Sequence, residues 1–215
     1  MAAPAHVKIC GVTTVEDALL AAELGASAIG LNFVPASPRR IDAARARAIA
    51  HAVHEANGAR VLVVGVVADM TVDAMRALVR DAGLDCLQLH GDEPPDVLAP
   101  LLPHAYKAVR IAAADDVARA QAYPGDHLLV DAKVAGALGG TGETFDWSLV
   151  RRLARARKLT LAGGLTPANV ARAVEEVQPY CVDVASGVER APGVKDEAKM
   201  RAFIEAARSV ALPAR

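Results

Sequence analysis

The chain has 215 residues and a formal net charge of −1, from 24 basic and 25 acidic residues interspersed along it, and its aromatics are three Phe, three Tyr and one Trp. That leaves neither the basic field nor the stacking platforms of a nucleic-acid binder. No apolar stretch approaches the roughly 20 residues that span a bilayer, and residues 1–6 lack the basic and apolar parts of a secretory signal, so a cytoplasmic protein without membrane contact is expected.

Eight short apolar runs follow one another, ending at Cys10, Asn32, Asp69, His90, Arg110, Asp131, the Gly163-Gly164 pair and Ser186-Gly187. Most ends are spaced by about one strand plus one crossover helix. Two gaps are longer by about ten residues, and the excess holds Ser37-Pro38-Arg39-Arg40 and Gly139-Gly140-Thr141-Gly142. Eight such units predict an α/β fold, a single (β/α)8 TIM barrel over residues 1–215, with its site at the C-terminal ends of the strands.

Taken in order, the first run places Lys8 and Cys10 on the axis if Val7 and Ile9 face the helices, because side chains alternate. Thr13 and Glu16 read as a capping box for the helix that follows, and Gly25 as the residue past its end. Ala46, Ile49, Ala50 and Val53 form one helical stripe; Met75, Leu78, Val79 and Ala82 form another, closed by Gly83. The fourth run turns Cys86, Gln88 and His90 inward, and the sixth turns Asp131 inward. Thr166-Pro167 reads as an N-cap and first helical residue ahead of the stripe Val170, Ala173, Val174 and Val177. The eighth run places Asp183 on the axis beside Lys8, a candidate buried ion pair.

The cysteines Cys10, Cys86 and Cys181 are too few and too scattered for a disulfide framework and are read as free thiols, the last two as core. Cys86 and His90, at i and i+4 of a strand, lie roughly 13 Å apart, too far to share one tetrahedral ion, so no metal and no cofactor is implied. Gly163, Gly164, Ser186 and Gly187 leave backbone N–H groups open after the seventh and eighth strands, where this fold usually holds phosphate. A small phosphorylated substrate is therefore expected. The sequence is compatible with a monomer or a homodimer.

VKICGVTTVEDA from Val7, GLNFVPASPRRI from Gly30, LQLHGDE from Leu87, LLVDAK from Leu128, GGTGETFDW from Gly139, LAGGLTPANV from Leu161 and VDVASGVE from Val182 together resemble the phosphoribosylanthranilate isomerases of tryptophan biosynthesis. The resemblance implies an Amadori rearrangement with Cys10 as general base and Asp131 as general acid. It also implies Arg39 on the anthranilate carboxylate, Gly142 and Thr141 in a loop folding over the phosphate, and His90 and Gln88 on the ribose hydroxyls. Those roles demand a Cys10 pKa shifted down, by Lys8 or a helix N-terminus, and an Asp131 that retains a proton. Other phosphate-binding barrels, such as indole-glycerol-phosphate synthases or histidine-pathway sugar isomerases, share the glycine turns but use other acids and bases. A silent sugar-phosphate sensor would need neither Cys10 nor Asp131.

Overall fold

The computed structural model describes residues 3–57, 60–131 and 147–212. Eight parallel strands close into a barrel in chain order: β1 His6–Cys10, β2 Ala28–Asn32, β3 Leu62–Val67, β4 Cys86–Leu89, β5 Ala105–Arg110, β6 His127–Asp131, β7 Lys158–Ala162 and β8 Cys181–Val184. Closure is made by β1 pairing with β8, with Lys8 opposite Asp183 and Ile9 opposite Val184. Eight helices alternate with the strands: α1 Val15–Glu23, α2 Ala43–Asn57, α3 Val72–Ala82, α4 Pro95–Leu98, α5 Ala114–Gln121, α6 Ser148–Ala156, α7 Val170–Val177 and α8 Glu197–Arg208. Among the described residues no helix is long and apolar enough to cross a membrane.

The helices lie where the apolar stripes put them. Ala46, Ile49, Ala50 and Val53 of α2 are buried, as are Val170, Ala173, Val174 and Val177 of α7 and Met200, Phe203, Ile204 and Ala207 of α8. Full burial of a Val, Ile or Phe contributes about 1.5–3 kcal/mol, so each stripe outweighs the modest helix propensity of its segment. In α3, Met75 and Ala82 are buried, while Leu78 and Val79 pack on the core from partly exposed positions. Gly25 (φ 103°) and Gly83 (φ 67°) end their helices in the left-handed conformation glycine tolerates.

Two caps differ from the sequence reading. The N-cap of α1 is Thr14, whose Oγ1 accepts from the Asp17 N–H at 3.1 Å, while Thr13 Oγ1 donates instead to the Gly193 carbonyl at 2.7 Å. The cap moves one residue along because Thr13 is drawn into a tertiary contact. Thr166-Pro167 does not open α7 either: 167–169 form a turn, Asn169 Oδ1 accepts from the Thr166 N–H at 2.8 Å, and the helix starts at Val170. Two short ribbons also escaped the sequence reading, one pairing Ala3–Pro4 with Ala211–Leu212 and one pairing Glu189–Ala191 with Val194–Lys195.

Inside the barrel lies a second, smaller cluster of Ala28, Val64, Tyr106, Ala108, Leu129 and Ala162, edged by Cys86. Above it sits a polar layer. Lys8 Nζ donates to Asp183 Oδ2 at 3.1 Å and to Gln88 Oε1 at 2.9 Å, and the Tyr106 hydroxyl donates to the same Gln88 oxygen at 3.2 Å. Lys8 is 2% exposed. Burial, the largest single influence, lowers the Lys8 pKa, but Asp183, Cys10 and Tyr106 together outweigh it and carry the group well above its ordinary value, so this ammonium is charged.

A buried ion pair is costly to break from one side, because the survivor keeps its desolvation penalty. Asp183→Ala is expected to lose about 3–5 kcal/mol in urea unfolding, whereas Asp183→Leu combined with Lys8→Met should recover most of that loss. Equal losses in the single and the double variant would show that the pair carries no such penalty.

Candidate active site

Cys10 and Asp131 end β1 and β6, so both stand at the C-terminal rim of one closed sheet, each on the strand face that points to the axis. Cys10 is partly buried. Its register partner across the β1–β2 ladder is Gly30, and a Cβ on Gly30 would sit 2.7 Å from the Cys10 sulfur and 3.1 Å from Lys8 Nζ. Glycine is therefore needed there, and the thiol and the ammonium both face the same spot.

The thiol departs from the sequence expectation. Burial pushes the Cys10 pKa up, and Asp183 adds to that; Lys8 and Lys195 pull it down without reversing it. A downward shift was expected because Lys8 lies next to Cys10 on the axis, but the cost of burying a thiolate exceeds the pull of that ammonium. Asp131 and Asp183 each bury one Oδ1 that finds no hydrogen-bond partner among the described residues. Buried acceptors are normally satisfied, so two orphan carboxylate oxygens mark unmet demand in the barrel mouth.

Gln88 and His90 play different parts. Gln88 is 2% exposed, and its Oε1 is already shared by Lys8 and Tyr106, so it supports the floor of the site instead of reaching a ligand as expected. Its amide nitrogen lies 3.2 Å from His90 Nδ1. With the oxygen accepting twice, the amide must donate, which makes Nδ1 an acceptor and leaves the proton on Nε2 of His90. Burial lowers the His90 pKa, partly offset by Asp131, so the ring is neutral and offers one donor.

Arg39 is placed at the rim, with its stem lying where a side chain on Gly11 would otherwise sit. Its guanidinium has a protein partner the sequence did not indicate: Nε donates to Glu189 Oε1 at 2.8 Å and Nη2 to Glu189 Oε2 at 2.6 Å. Arg40 is exposed. The glycine turns are as expected. Gly163 (φ 95°) and Gly164 (φ 64°) follow β7 in left-handed backbone, and open space lies where a Gly164 side chain would project. Ser186-Gly187 opens a single 3-10 turn after β8, and a side chain on Gly187 would collide with the Leu165 carbonyl. Among the described residues, none accepts a hydrogen bond from the N–H of Gly163, Gly164, Ser186 or Gly187. Gly142, with Gly139, Gly140 and Thr141, lies outside the described residues.

Sequence reasoning missed two buried lysines. Lys107 of β5 points outward under the loop after β4, with Nζ 3.2 Å from Glu93 Oε2 and donating to the Gly91 carbonyl at 2.7 Å; Glu93 Oε1 in turn accepts from the Asp69 N–H at 2.8 Å. This latch holds the loop that begins at His90. Lys195 is tied to Glu189 and to the Cys10 carbonyl. A charged residue inside an otherwise buried strand, as in AYKAVR, was the available signal for Lys107, since such a charge requires a partner.

A closed eight-stranded parallel barrel with Cys10, Asp131 and paired glycine turns on its C-terminal rim, above buried Asp183, defines a TIM-barrel enzyme. The family described as N-(5'-phosphoribosyl)anthranilate (PRA) isomerase matches residues 7–206, and the chain belongs to it. Among its relatives, the N-(5'-phosphoribosyl)anthranilate isomerase of Myxococcus xanthus is 46% identical over 212 residues, covering 96% of this chain and 98% of that one. The isomerase of Pseudomonas aeruginosa is 48% identical over 206 residues, 95% of each. The crystal structure of phosphoribosyl anthranilate isomerase from Thermotoga maritima superposes with a TM-score of 0.85 at 38% identity, covering 96% of this chain and all of that one. A further isomerase structure, solved in complex with reduced 1-(o-carboxyphenylamino)-1-deoxyribulose 5-phosphate, superposes at 0.82 with 35% identity over 96% of this chain and all of that one.

The thiols give a direct check. Burial pushes Cys86 and Cys181 up to about 12 and raises the Cys10 thiol as well. Iodoacetamide labelling of Cys10 read by mass spectrometry should be slow at neutral pH and accelerate only in the alkaline range. Rapid Cys10 labelling already on a plateau at pH 7 would mean a resting thiolate.

Proposed function

We propose that this enzyme catalyses the Amadori rearrangement of N-(5-phosphoribosyl)anthranilate to 1-(2-carboxyphenylamino)-1-deoxyribulose 5-phosphate, with Cys10 as base and Asp131 as acid. The reaction is an internal redox exchange, in which C2 is oxidised as C1 is reduced, so no cofactor is required. Asp131 gives a proton to the furanose oxygen and the C1–O bond breaks, leaving a Schiff base between C1 and the anthranilate nitrogen. The Cys10 thiolate then takes the C2 proton; the electron pair moves to form an enolamine, which tautomerises to the ketone. The observation that supports this most is the position of the two groups, ends of β1 and β6 on one rim with inward-facing side chains.

A thiolate with a carboxylic acid holds as many protons as a thiol with a carboxylate. The reactive state thus needs one proton moved between the groups, with none taken from solvent. Lys8 and Lys195, which already oppose the upward shift of Cys10, favour that redistribution. The phosphate is assigned to the N–H groups of Gly163, Gly164, Ser186 and Gly187, where fold and open backbone donors agree. Neutral His90 donates through Nε2 to a ribose hydroxyl, Asp183 holds Lys8 beneath the thiol, and Arg39 receives the anthranilate carboxylate on the guanidinium edge that Glu189 leaves open.

In a fluorescence assay on freshly prepared phosphoribosylanthranilate, Cys10→Ser and Asp131→Asn should each lower kcat by about 10²- to 10⁴-fold, with melting temperatures near that of the wild type. Turnover at similar rates by all three proteins would refute the acid–base assignment.

A further inference from the structure

The ribbon after β8 carries charges that the acid–base chemistry leaves unused. Glu189 faces Lys195 across it, and their side chains are 4% and 0% exposed. Glu189 Oε1 accepts from Lys195 Nζ at 2.9 Å, from Arg39 Nε at 2.8 Å and from the Gly193 N–H at 3.2 Å, while Oε2 accepts from Arg39 Nη2 at 2.6 Å. Lys195 Nζ also donates to the Cys10 carbonyl at 2.5 Å and to the Ala185 carbonyl at 3.3 Å. One carboxylate is thereby shared by two cations and fastened, through Lys195, to the backbone of the strand end that carries the thiol.

The geometry of the Arg39 contact matters. A guanidinium has five N–H donors in a rigid fork. Glu189 occupies only the Nε–Nη2 edge, and among the described residues Nη1 donates to no group. The remaining edge is therefore held in one orientation, with two cations facing a single carboxylate and a positive charge left over for a second anion. Half of a bidentate site is already built.

We propose that Glu189 is a positioning residue: it aims the Nη1 edge of Arg39 at the substrate carboxylate, with buried Lys195 holding Glu189 in register with Cys10. The inference rests on Arg39 as the carboxylate's partner. A residue acting this way should change substrate binding more than chemistry, and only while Arg39 is present.

The test is a double-mutant cycle in steady-state kinetics with phosphoribosylanthranilate. Glu189→Gln should raise KM about tenfold and leave kcat within about threefold. In an Arg39→Ala background the same change should move KM less than about twofold, since no guanidinium remains to be aimed. Glu189→Asp keeps the charge beside Lys195 but shortens the reach; it should shift KM in the same direction, and it carries the test if the Gln variant does not fold. Equal KM changes in both backgrounds, or a fall in kcat at unchanged KM, would overturn the proposal. Wild-type KM in Arg39→Ala alone would overturn the Arg39 assignment and this proposal together, whereas a raised KM there beside a silent Glu189→Gln would overturn the positioning alone.

Discussion

Side chains alternate along every strand, and when eight strands close on themselves each second residue has nowhere to point but the axis. The pairing of β1 with β8 imposes that closure here. It brings Lys8 and Asp183, 175 positions apart, to 3.1 Å inside the barrel. With small residues Ala28, Ala108 and Ala162 lining much of the interior and Gly30 beside the thiol, the axis has room for this polar layer and for Cys10 above it. The same closure sets Cys10 and Asp131 on one rim.

Electrostatics then differ by depth. Low in the barrel, hydrogen bonds link Lys8, Asp183, Gln88 and Tyr106 into a floor, in which Asp183 Oδ1 has no partner among the described residues. At the mouth one oxygen of Asp131 also has no partner among the described residues, and burial holds the Cys10 thiol protonated against two nearby ammonium groups. A site prepared in this way changes its protonation when a ligand enters, because a ligand alters both desolvation and local charge. Of the cations that reach Cys10, Lys8 comes from β1 itself and Lys195 from the ribbon after β8, so the thiol's environment is set by the closed fold together with its own segment.

Direction was legible in the sequence; partnership, apart from the Lys8–Asp183 pair, was not. Alternation was enough to send Lys8, Cys10, Gln88, Asp131 and Asp183 inward, and the helical stripes of α2 and α7 were readable residue by residue. The glycines at 163 and 164 announced left-handed turns. The Lys8–Asp183 pair was readable because both residues fall inward on adjacent strands; other features decided by a group far along the chain escaped. Thr13 gave up its capping role to reach Gly193, Gln88 was taken by Lys8 and Tyr106, and half of the Arg39 fork went to Glu189, 150 positions away. The sign of the Cys10 shift failed because burial, with a smaller contribution from Asp183, outweighs the lysine beside it, and depth is set by the closed barrel. Glu189 stood in the quoted VDVASGVE segment, yet nothing local to it distinguishes a buried anchor from a solvated glutamate.

The central claim is spatial, and a crystal structure of this enzyme with reduced 1-(o-carboxyphenylamino)-1-deoxyribulose 5-phosphate bound tests it most directly. The account predicts the Cys10 sulfur and an Asp131 carboxyl oxygen on either side of the ribulose chain, each within about 3–3.5 Å of the carbon or oxygen it serves, with phosphate oxygens on the N–H groups after β7 and β8. A ligand bound with its phosphate elsewhere, or with either side chain unable to reach the reacting atoms, would contradict it.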